Sequence, residues 1–415
     1  MRIAIIGAGT AGPAAALLLK RAGAPVELFE RAAAPSAVGA GILLQPSGLA
    51  VLQRLGLLQT VLAAGHRIAS LRGVTERGRT VLSLHYKDLR ADLFGLGTHR
   101  GSLFAALVAA LPGAGVPLHT GVDVATVEQQ GAQLVLKGAE QHGLFDLVVL
   151  ADGARSHLRG AIGGVQRQAP YPYGALWFVG DDHTHPSDGC LSQVYDGTHK
   201  MVGLLPSGVH PGQPHPQISL FWSLPADQID TVRAGTLAQW RAQVLRLYPQ
   251  TEDLLEQISD MQQLLPARYL DVVLHRPFAM RGSSAIAAIG DAAHAMSPQL
   301  GQGANLALLD AEALADALIA HAALTQKSQL PTALNAWHKK MRHKIQTYQQ
   351  LSRWLTPVFQ SNYRWLGPPR DAFMGLSCRM WPFNKLMLTA LAGVKQGLLT
   401  ADEAPRLAIA QEPRS

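Results

Sequence analysis

Two glycine-rich segments, one near each end of a domain-sized stretch, constrain this chain more than any other feature. The first, IAIIGAGTAG, opens the sequence and sets Gly7, Gly9 and Gly12 in a GxGxxG arrangement. The second, AIAAIGDAAHAMSPQLGQGANLALLDAEAL, begins at Ala285. Residues 2–6 read as a fully buried parallel strand, 10–21 as a helix and 26–29 as a second strand, a compact βαβ start. In such a unit Gly7 permits the tight turn, Gly9 lets backbone approach a pyrophosphate, and Gly12 allows close helix–strand packing. The helix start at Thr10 and Ala11 presents free amides and a positive dipole to phosphates. Glu30 ends the second strand, followed by Arg31, at the spacing where an acid accepts hydrogen bonds from ribose hydroxyls. GxGxxG alone is weak evidence. Strand, helix and acid in this order point to a dinucleotide.

Composition narrows the class. A chain of 415 residues with 48% hydrophobic and 16% charged residues has material for two cores in a folded protein. The net charge of +7 is spread without a Lys/Arg run, so it reads as a basic surface that attracts anionic cofactors, with no nucleic-acid partner. Cys190 and Cys378 stand in neither CxxC nor metal-ligand spacing, which fits a reducing, cytoplasmic setting and implies no metal site. The opening segment has the arginine, apolar run and small residues of a signal peptide. Cleavage there would remove the glycine motif, so it is read as structure. No stretch is long and apolar enough to span a bilayer.

Two more apolar runs, 145–150 before ADGARSHLR and 285–289 before the second glycine segment, read as further central strands ending in polar turns. Open α/β sheets bind ligands at such strand ends. Residues 170–276 are short, aromatic and β-rich, an antiparallel sheet inserted between parts of the nucleotide domain, and 73–94 adds strands to it. Helices follow at 301–322 and 331–355. From 356 the chain reads as an irregular tail with Trp365, Trp381 and Phe383 among basic residues, packed on the nucleotide domain in preference to a membrane surface. The expected fold is α/β: a Rossmann-like nucleotide-binding domain (1–72, 98–169 and 277–355), an inserted antiparallel β-sheet substrate domain (73–97 and 170–276) and a helical C-terminal region ending in the tail 356–415.

At GAGILLQPSGLAVLQRLGL, which contains Gly41, the chain resembles the FAD-dependent aromatic hydroxylase family, single-component flavoprotein monooxygenases with the p-hydroxybenzoate hydroxylase fold. Members carry a GxGI segment and a helix with this leucine spacing; Ser47 departs from their usual Pro-Asn. The resemblance implies that Gly41 runs near the flavin. It also implies that Arg100, where a cation opposes the dipole of the helix it precedes, contacts FAD. Asp152-Gly153 matches the family's DG motif, associated with FAD and NAD(P)H, while Asp152 also suits a helix N-cap. Arg155 and Arg159, four apart, are expected near cofactor phosphates. IGDAAHAMSPQLGQGAN matches the GD motif almost residue for residue. There Gly290 and Asp291 would meet the ribityl chain, and the amides of Gly301, Gly303, Ala304 and Asn305 the flavin pyrimidine, whose negative charge on reduction a helix N-terminus stabilises. His294 reads as a packing histidine. The resemblance covers residues 1 to about 350 and weakens through the inserted sheet.

The implied activity is an FAD-dependent monooxygenase driven by NADH or NADPH. It would insert one oxygen atom from O2, through a flavin C4a-hydroperoxide, into an aromatic or other electron-rich hydrophobic small molecule. Pro298 would lie over the flavin face at the oxygen-transfer site; no catalytic base is assigned. Tyr173, Trp177 and Trp222 are the substrate-contact candidates. A reductase or dehydrogenase of the same fold is the alternative, since it would carry the same FAD motifs. Asp291→Ala is expected to weaken FAD retention, because a ribityl partner is lost and a polar site is left unpaired. Recovery of fully flavin-loaded, normally active Asp291→Ala protein would contradict that placement.

Overall fold

The computed structural model describes residues 1–35, 39–183, 189–210 and 212–409. Its centre is a six-stranded sheet around the strand Ile3–Ile6. Val26–Glu30 pairs with it in parallel on one side and Leu147–Leu150 on the other. Ser284–Ala288 continues the parallel array, and Phe278–Arg281 and Leu118–Thr120 close the two edges. Ile3–Ile6, Leu147–Leu150 and Ser284–Ala288 are buried along their whole length. Both faces are covered, as continuous apolar runs demand. Ile3, Ile5, Leu147 and Val149 pack against the helices Ala11–Arg21 and Gly303–Ala320, while Ala4, Ile6, Val148 and Leu150 meet Phe29, Leu134 and Phe145. Those last partners come largely from a small antiparallel sheet of Thr126–Gln130, Gln133–Lys137 and Gln141–Phe145, which the sequence reading did not anticipate.

The register has one consequence for function. Ile6 lies opposite both Phe29 and Leu150, and Leu150 opposite Ala288. The turns after these strands, at Gly7, Glu30, Asp152 and Gly290, therefore emerge along one edge.

The aromatic, β-rich segments form a seven-stranded sheet in the order Leu265–Leu274, Val165–Asp181, Gln217–Pro225, Lys200–Gly208, Cys190–Asp196, Ser70–Thr75, Thr80–His85. The expected early strands do join it. Gly95–His99 does not; it pairs with Gly41–Leu44 and His66–Ile68 in a separate three-stranded sheet. One face of the large sheet, with Leu176, Leu220 and Trp222, packs on Trp240 and Val244 of the helix Leu237–Leu247.

The C-terminal segment corrects the sequence reading. The long helix runs Leu330–Phe359, and Gly367–Ser377 and Trp381–Leu391 are helices where an irregular tail was expected. Pro368, Pro369 and Pro382 sit in first turns, where a missing N–H costs nothing and the fixed φ suits the helix. Proline here starts helices. No helix among the described residues is long and apolar enough to cross a membrane.

One buried carboxylate joins the layers. Asp310, fully buried in Gly303–Ala320, accepts from Gly290 N at 3.0 Å and His294 Nε2 at 2.9 Å with one oxygen, and from Trp337 Nε1 at 2.8 Å with the other. His294 is thus a packing residue that orients the Gly290 turn. A buried carboxylate without these donors would carry a penalty of several kcal/mol. Asp310→Asn replaces one acceptor by a donor and leaves at least one N–H unpaired, so unfolding is expected to become easier by about 2–4 kcal/mol. Asp316→Asn in the same helix removes only surface pairs with Arg54 and Lys340 and should change stability by less than about 1 kcal/mol. Denaturant melts of the two variants check this; equal effects would contradict it.

Candidate functional site

At the first turn Gly7 adopts φ +103°, and its N–H donates to Phe29 O at 2.8 Å, closing the turn onto the second strand. A Cβ at Gly12 would fall 1.9 Å from Gly7 O, so only glycine lets the helix approach this closely. A Cβ at Gly9 would meet nothing within 4 Å, leaving open space above the backbone. The helix that follows, Ala11–Arg21, has no side-chain cap and no acid in its first turn, so its first amides remain available. Glu30 is held at the rim: Ala8 N donates to one carboxylate oxygen at 2.8 Å and Ala32 N to the other at 2.9 Å. Each oxygen keeps a second lone pair free for a ligand hydroxyl. Arg31 follows, exposed.

Asp152 stands at the third strand end. Its Oδ1 is buried without a hydrogen-bond partner among the described residues. Burial pushes its carboxyl above the ordinary range, opposed by a hydrogen bond from Ser156 and the nearby charge of Arg159. A buried acceptor left without a donor between the two glycine turns fits a site that takes a ligand hydroxyl or N–H. Arg159 departs from the expectation that it would approach phosphates. It is 1% exposed and donates to the carbonyls of Ala292 and Ala154 and to Gln168 Oε1, tying the Asp152 turn to the Gly290 turn. Arg155 remains exposed.

At the fourth turn Gly290 has φ +60°, with a Cβ position 3.1 Å from Ala11 Cβ. Asp291 is exposed, and a Cβ at Gly303 would lie 3.9 Å from its Oδ1, so the carboxylate sits beside the helix Gly303–Ala320. That helix has no side-chain cap, leaving the amides of Gly303, Ala304 and Asn305 unpaired within it. The Asn305 side chain is spent elsewhere: Oδ1 accepts from Gln45 N at 2.8 Å, and Nδ2 donates to Gly301 O at 3.0 Å. Pro298 projects into solvent from a turn fixed from behind, where Ser352 Oγ donates to Ser297 O and Thr356 Oγ1 to Ser297 Oγ.

Gln45 escaped the sequence reading. It is fully buried, its Oε1 accepts from Tyr86 Oη, and its Nε2 has no acceptor among the described residues. A Cβ at Gly301 would lie 3.9 Å from that Nε2. The only sequence signal was a lone amide inside GILLQPSG. Gly41 is dictated by packing, since a Cβ there would fall 2.3 Å from Ser219 Oγ and 2.6 Å from Ser207 Oγ. Arg100 opens the helix Arg100–Gly113 with its N–H on Ala40 O, its stem over Gly39 and its side chain exposed. The cap itself is His99, whose Nδ1 accepts from Gly101 N at 3.0 Å. Burial, then the neighbouring His210, hold the His99 ring below its ordinary pKa, which keeps Nδ1 an acceptor.

The structure brings two of the three substrate candidates together, since Tyr173 and Trp222 line one cavity with His199, Asn362 and Arg364, and sets Trp177 apart on the opposite face of the sheet. Trp177 pairs with Phe221 across the sheet, ring centroids 5.1 Å apart, and its Nε1 donates to Tyr269 Oη at 3.3 Å. Burial pushes the Tyr269 phenol up to about 12. Trp222, opposite Leu176, lies on the helix-covered face, away from Trp177. Tyr173 donates to Asn362 Oδ1 just past the long helix.

The glycines separate packing from ligand space. Gly9→Ala should fold with an unchanged melting temperature without cofactor, yet hold FAD about tenfold or more weakly, a loss of about 1.4 kcal/mol. Gly12→Ala should destabilise the protein with or without FAD, as overpacking of about 1–3 kcal/mol or more does. Paired melts and flavin titrations decide, and a destabilised Gly9→Ala protein would remove the distinction.

Comparison with known proteins agrees with this geometry. The FAD binding domain family matches residues 1–335. The chain is similar to a probable 2-heptyl-3-hydroxy-4(1H)-quinolone synthase of Rhodococcus erythropolis, 28% identical over 355 residues, covering 84% of this chain and 86% of that one. It is also 28% identical over 330 residues to the 6-hydroxynicotinate 3-monooxygenase of Bordetella bronchiseptica, covering 75% and 81%. Among solved structures, the tetrameric form of 2-methyl-3-hydroxypyridine-5-carboxylic acid oxygenase superposes with a TM-score of 0.71 at 25% identity, covering 90% and 97%. The chain belongs to the FAD binding domain family of flavin-dependent aromatic hydroxylases and is an FAD-dependent monooxygenase that uses NADH or NADPH.

Proposed function

We propose that this monooxygenase hydroxylates an electron-rich nitrogen heteroaromatic of the quinolone or hydroxypyridine type. The observation that carries the proposal is the aromatic wall of Trp177 and Phe221, with the half-buried Tyr269, whose hydroxyl accepts from Trp177 Nε1, at its edge. A flat ring stacks on such a wall, and the protonated phenol donates or accepts at a ring hydroxyl or nitrogen. The relatives are named for a hydroxyquinolone product and for hydroxynicotinate as substrate, and both compounds have this chemistry.

The same reading assigns the cofactor contacts. Amides from Gly9 to Gly12, at the start of Ala11–Arg21, face the pyrophosphate, with Arg31 and Arg100 at the rim. Glu30 takes the ribose hydroxyls, Asp152 offers its orphaned oxygen, and Asp291 takes the ribityl hydroxyls. The uncapped amides of Gly303 to Asn305 and the buried Gln45 amide face the flavin pyrimidine. Gly41 shapes the wall between cofactor and substrate sheet, and Pro298 covers the reacting face. Bound FAD, reduced by NAD(P)H, supplies oxygen transfer from O2. The protein's part is position, exclusion of water and electrostatics. The division into FAD-binding parts 1–72, 98–169 and 277–355 and substrate parts 73–97 and 170–276 belongs to this proposal, as does a cytoplasmic setting.

Turnover of a hydroxyquinolone and of 6-hydroxynicotinate with isotopically labelled dioxygen tests it. One labelled oxygen atom per product is expected for at least one of them. Trp177→Ala should raise KM about tenfold, the loss of a stacking partner worth about 1.5 kcal/mol, while flavin content stays constant. Reduced-cofactor oxidation that yields only hydrogen peroxide with every nitrogen heteroaromatic, alongside hydroxylation of a different class, would overturn the assignment.

A further inference from the structure

The helices Gly367–Ser377 and Trp381–Leu391, with the turn before them, concentrate the molecule's exposed large hydrophobics. Phe373 is 74% exposed, Trp365 71% and Trp381 69%, with Leu376, Met380 and Phe383 beside them. Phe373 and Leu376, three apart, share one face of the first helix, and Met380 stands at the start of the second. Such a concentration of exposed large hydrophobics within about twenty residues of a folded protein marks an interaction surface.

The inner sides of both helices are already satisfied, so this face cannot turn inward. A Cβ at Gly375 would lie 2.5 Å from Thr80 O, which sets the first helix directly on the strand Thr80–His85. Arg370 is buried beneath it, paired with Asp371, donating to Gly197 O at 2.8 Å and lying over the rings of Tyr195 and Phe359. The second helix buries Leu388 to Leu391, and Gln302 Nε2 donates to Leu391 O at 2.7 Å. Its end is thereby clasped to the turn that precedes Gly303.

Charge identifies the partner. Asp371 is the only acid between residues 354 and 399, and Arg370 occupies it. Arg364, Arg379 and Lys385 are exposed and form no ion pair among the described residues; Lys385 lies over the Trp381 ring at 5.1 Å. A second copy docking through the same face would set these cations against their equivalents. An anionic lipid surface takes both features: cations meet headgroups, while tryptophan and phenylalanine enter the boundary with the acyl chains.

We propose that these two helices form an interfacial docking face for an anionic phospholipid bilayer, so that the enzyme works on a membrane surface without crossing it. Flotation of the FAD-loaded holoenzyme with phosphatidylcholine–phosphatidylglycerol vesicles, against phosphatidylcholine alone, tests this. Binding to the mixed vesicles and little to the neutral ones is expected, falling as salt rises. Arg379→Gln with Lys385→Gln should weaken partition about thirtyfold. Phe373→Ser with Trp381→Ser should abolish it, while flavin absorbance and melting stay unchanged because both side chains are exposed. Holoenzyme that stays unbound with mixed vesicles overturns the proposal, as does a serine variant that binds like the wild type. A dimer in sedimentation that those serine changes dissociate, without vesicle binding, assigns the face to a second copy.

Discussion

The arrangement of the cofactor edge rests on the buried Asp310 carboxylate. Its two oxygens collect a backbone N–H from the Gly290 turn, a ring nitrogen from His294 and the indole N–H of Trp337 on the long helix. Three successive segments, the 290–294 turn, the helix Gly303–Ala320 and the long helix Leu330–Phe359, meet at one buried carboxylate. Their relative placement is set by hydrogen-bond geometry, which is directional, where apolar packing alone would tolerate sliding. Arg159 does the complementary work with opposite sign, spending its guanidinium on carbonyls of the Asp152 and Gly290 turns. Neither residue needs to touch ligand to matter to it.

With the frame fixed, the electrostatics of the edge follow. Two helices, Ala11–Arg21 and Gly303–Ala320, direct uncapped N-termini to the same side as the sheet's C-terminal strand ends. That side is rich in unpaired N–H donors and suits an anionic cofactor. The carboxylates that share it, Glu30, Asp152 and Asp291, are held apart at separate strand ends. That separation suits the proposed contacts of each with hydroxyls of a different part of an extended dinucleotide, without crowding the phosphates.

Much of this was legible in the sequence because it is local. Gly7, Gly12 and Glu30 follow from strand–turn–helix sterics within about thirty residues, and the buried runs around Leu147 and Ala285 announce parallel strands by composition alone. What stayed hidden depends on contacts across the chain. Asn305 lies in a flavin-like motif, yet its side chain is consumed by Gln45 and Gly301. Trp222 and Trp177 look equivalent as aromatics in strands, but adjacent register positions put them on opposite faces. Arg159 has the spacing of a phosphate ligand and is a buried strut. The tail from 356 read as irregular, yet it holds two helices whose first turns carry Pro368, Pro369 and Pro382, where proline is tolerated.

Hydrogen–deuterium exchange of the apoprotein with and without added FAD tests most directly the claim that these strand-end turns together hold the cofactor. The account predicts slowed exchange on FAD binding in residues 7–12, 30–32, 152–156 and 290–305, with little change in the helix Leu237–Leu247 behind the substrate sheet. Protection confined to the first glycine turn, or spread evenly over the whole molecule, would contradict it.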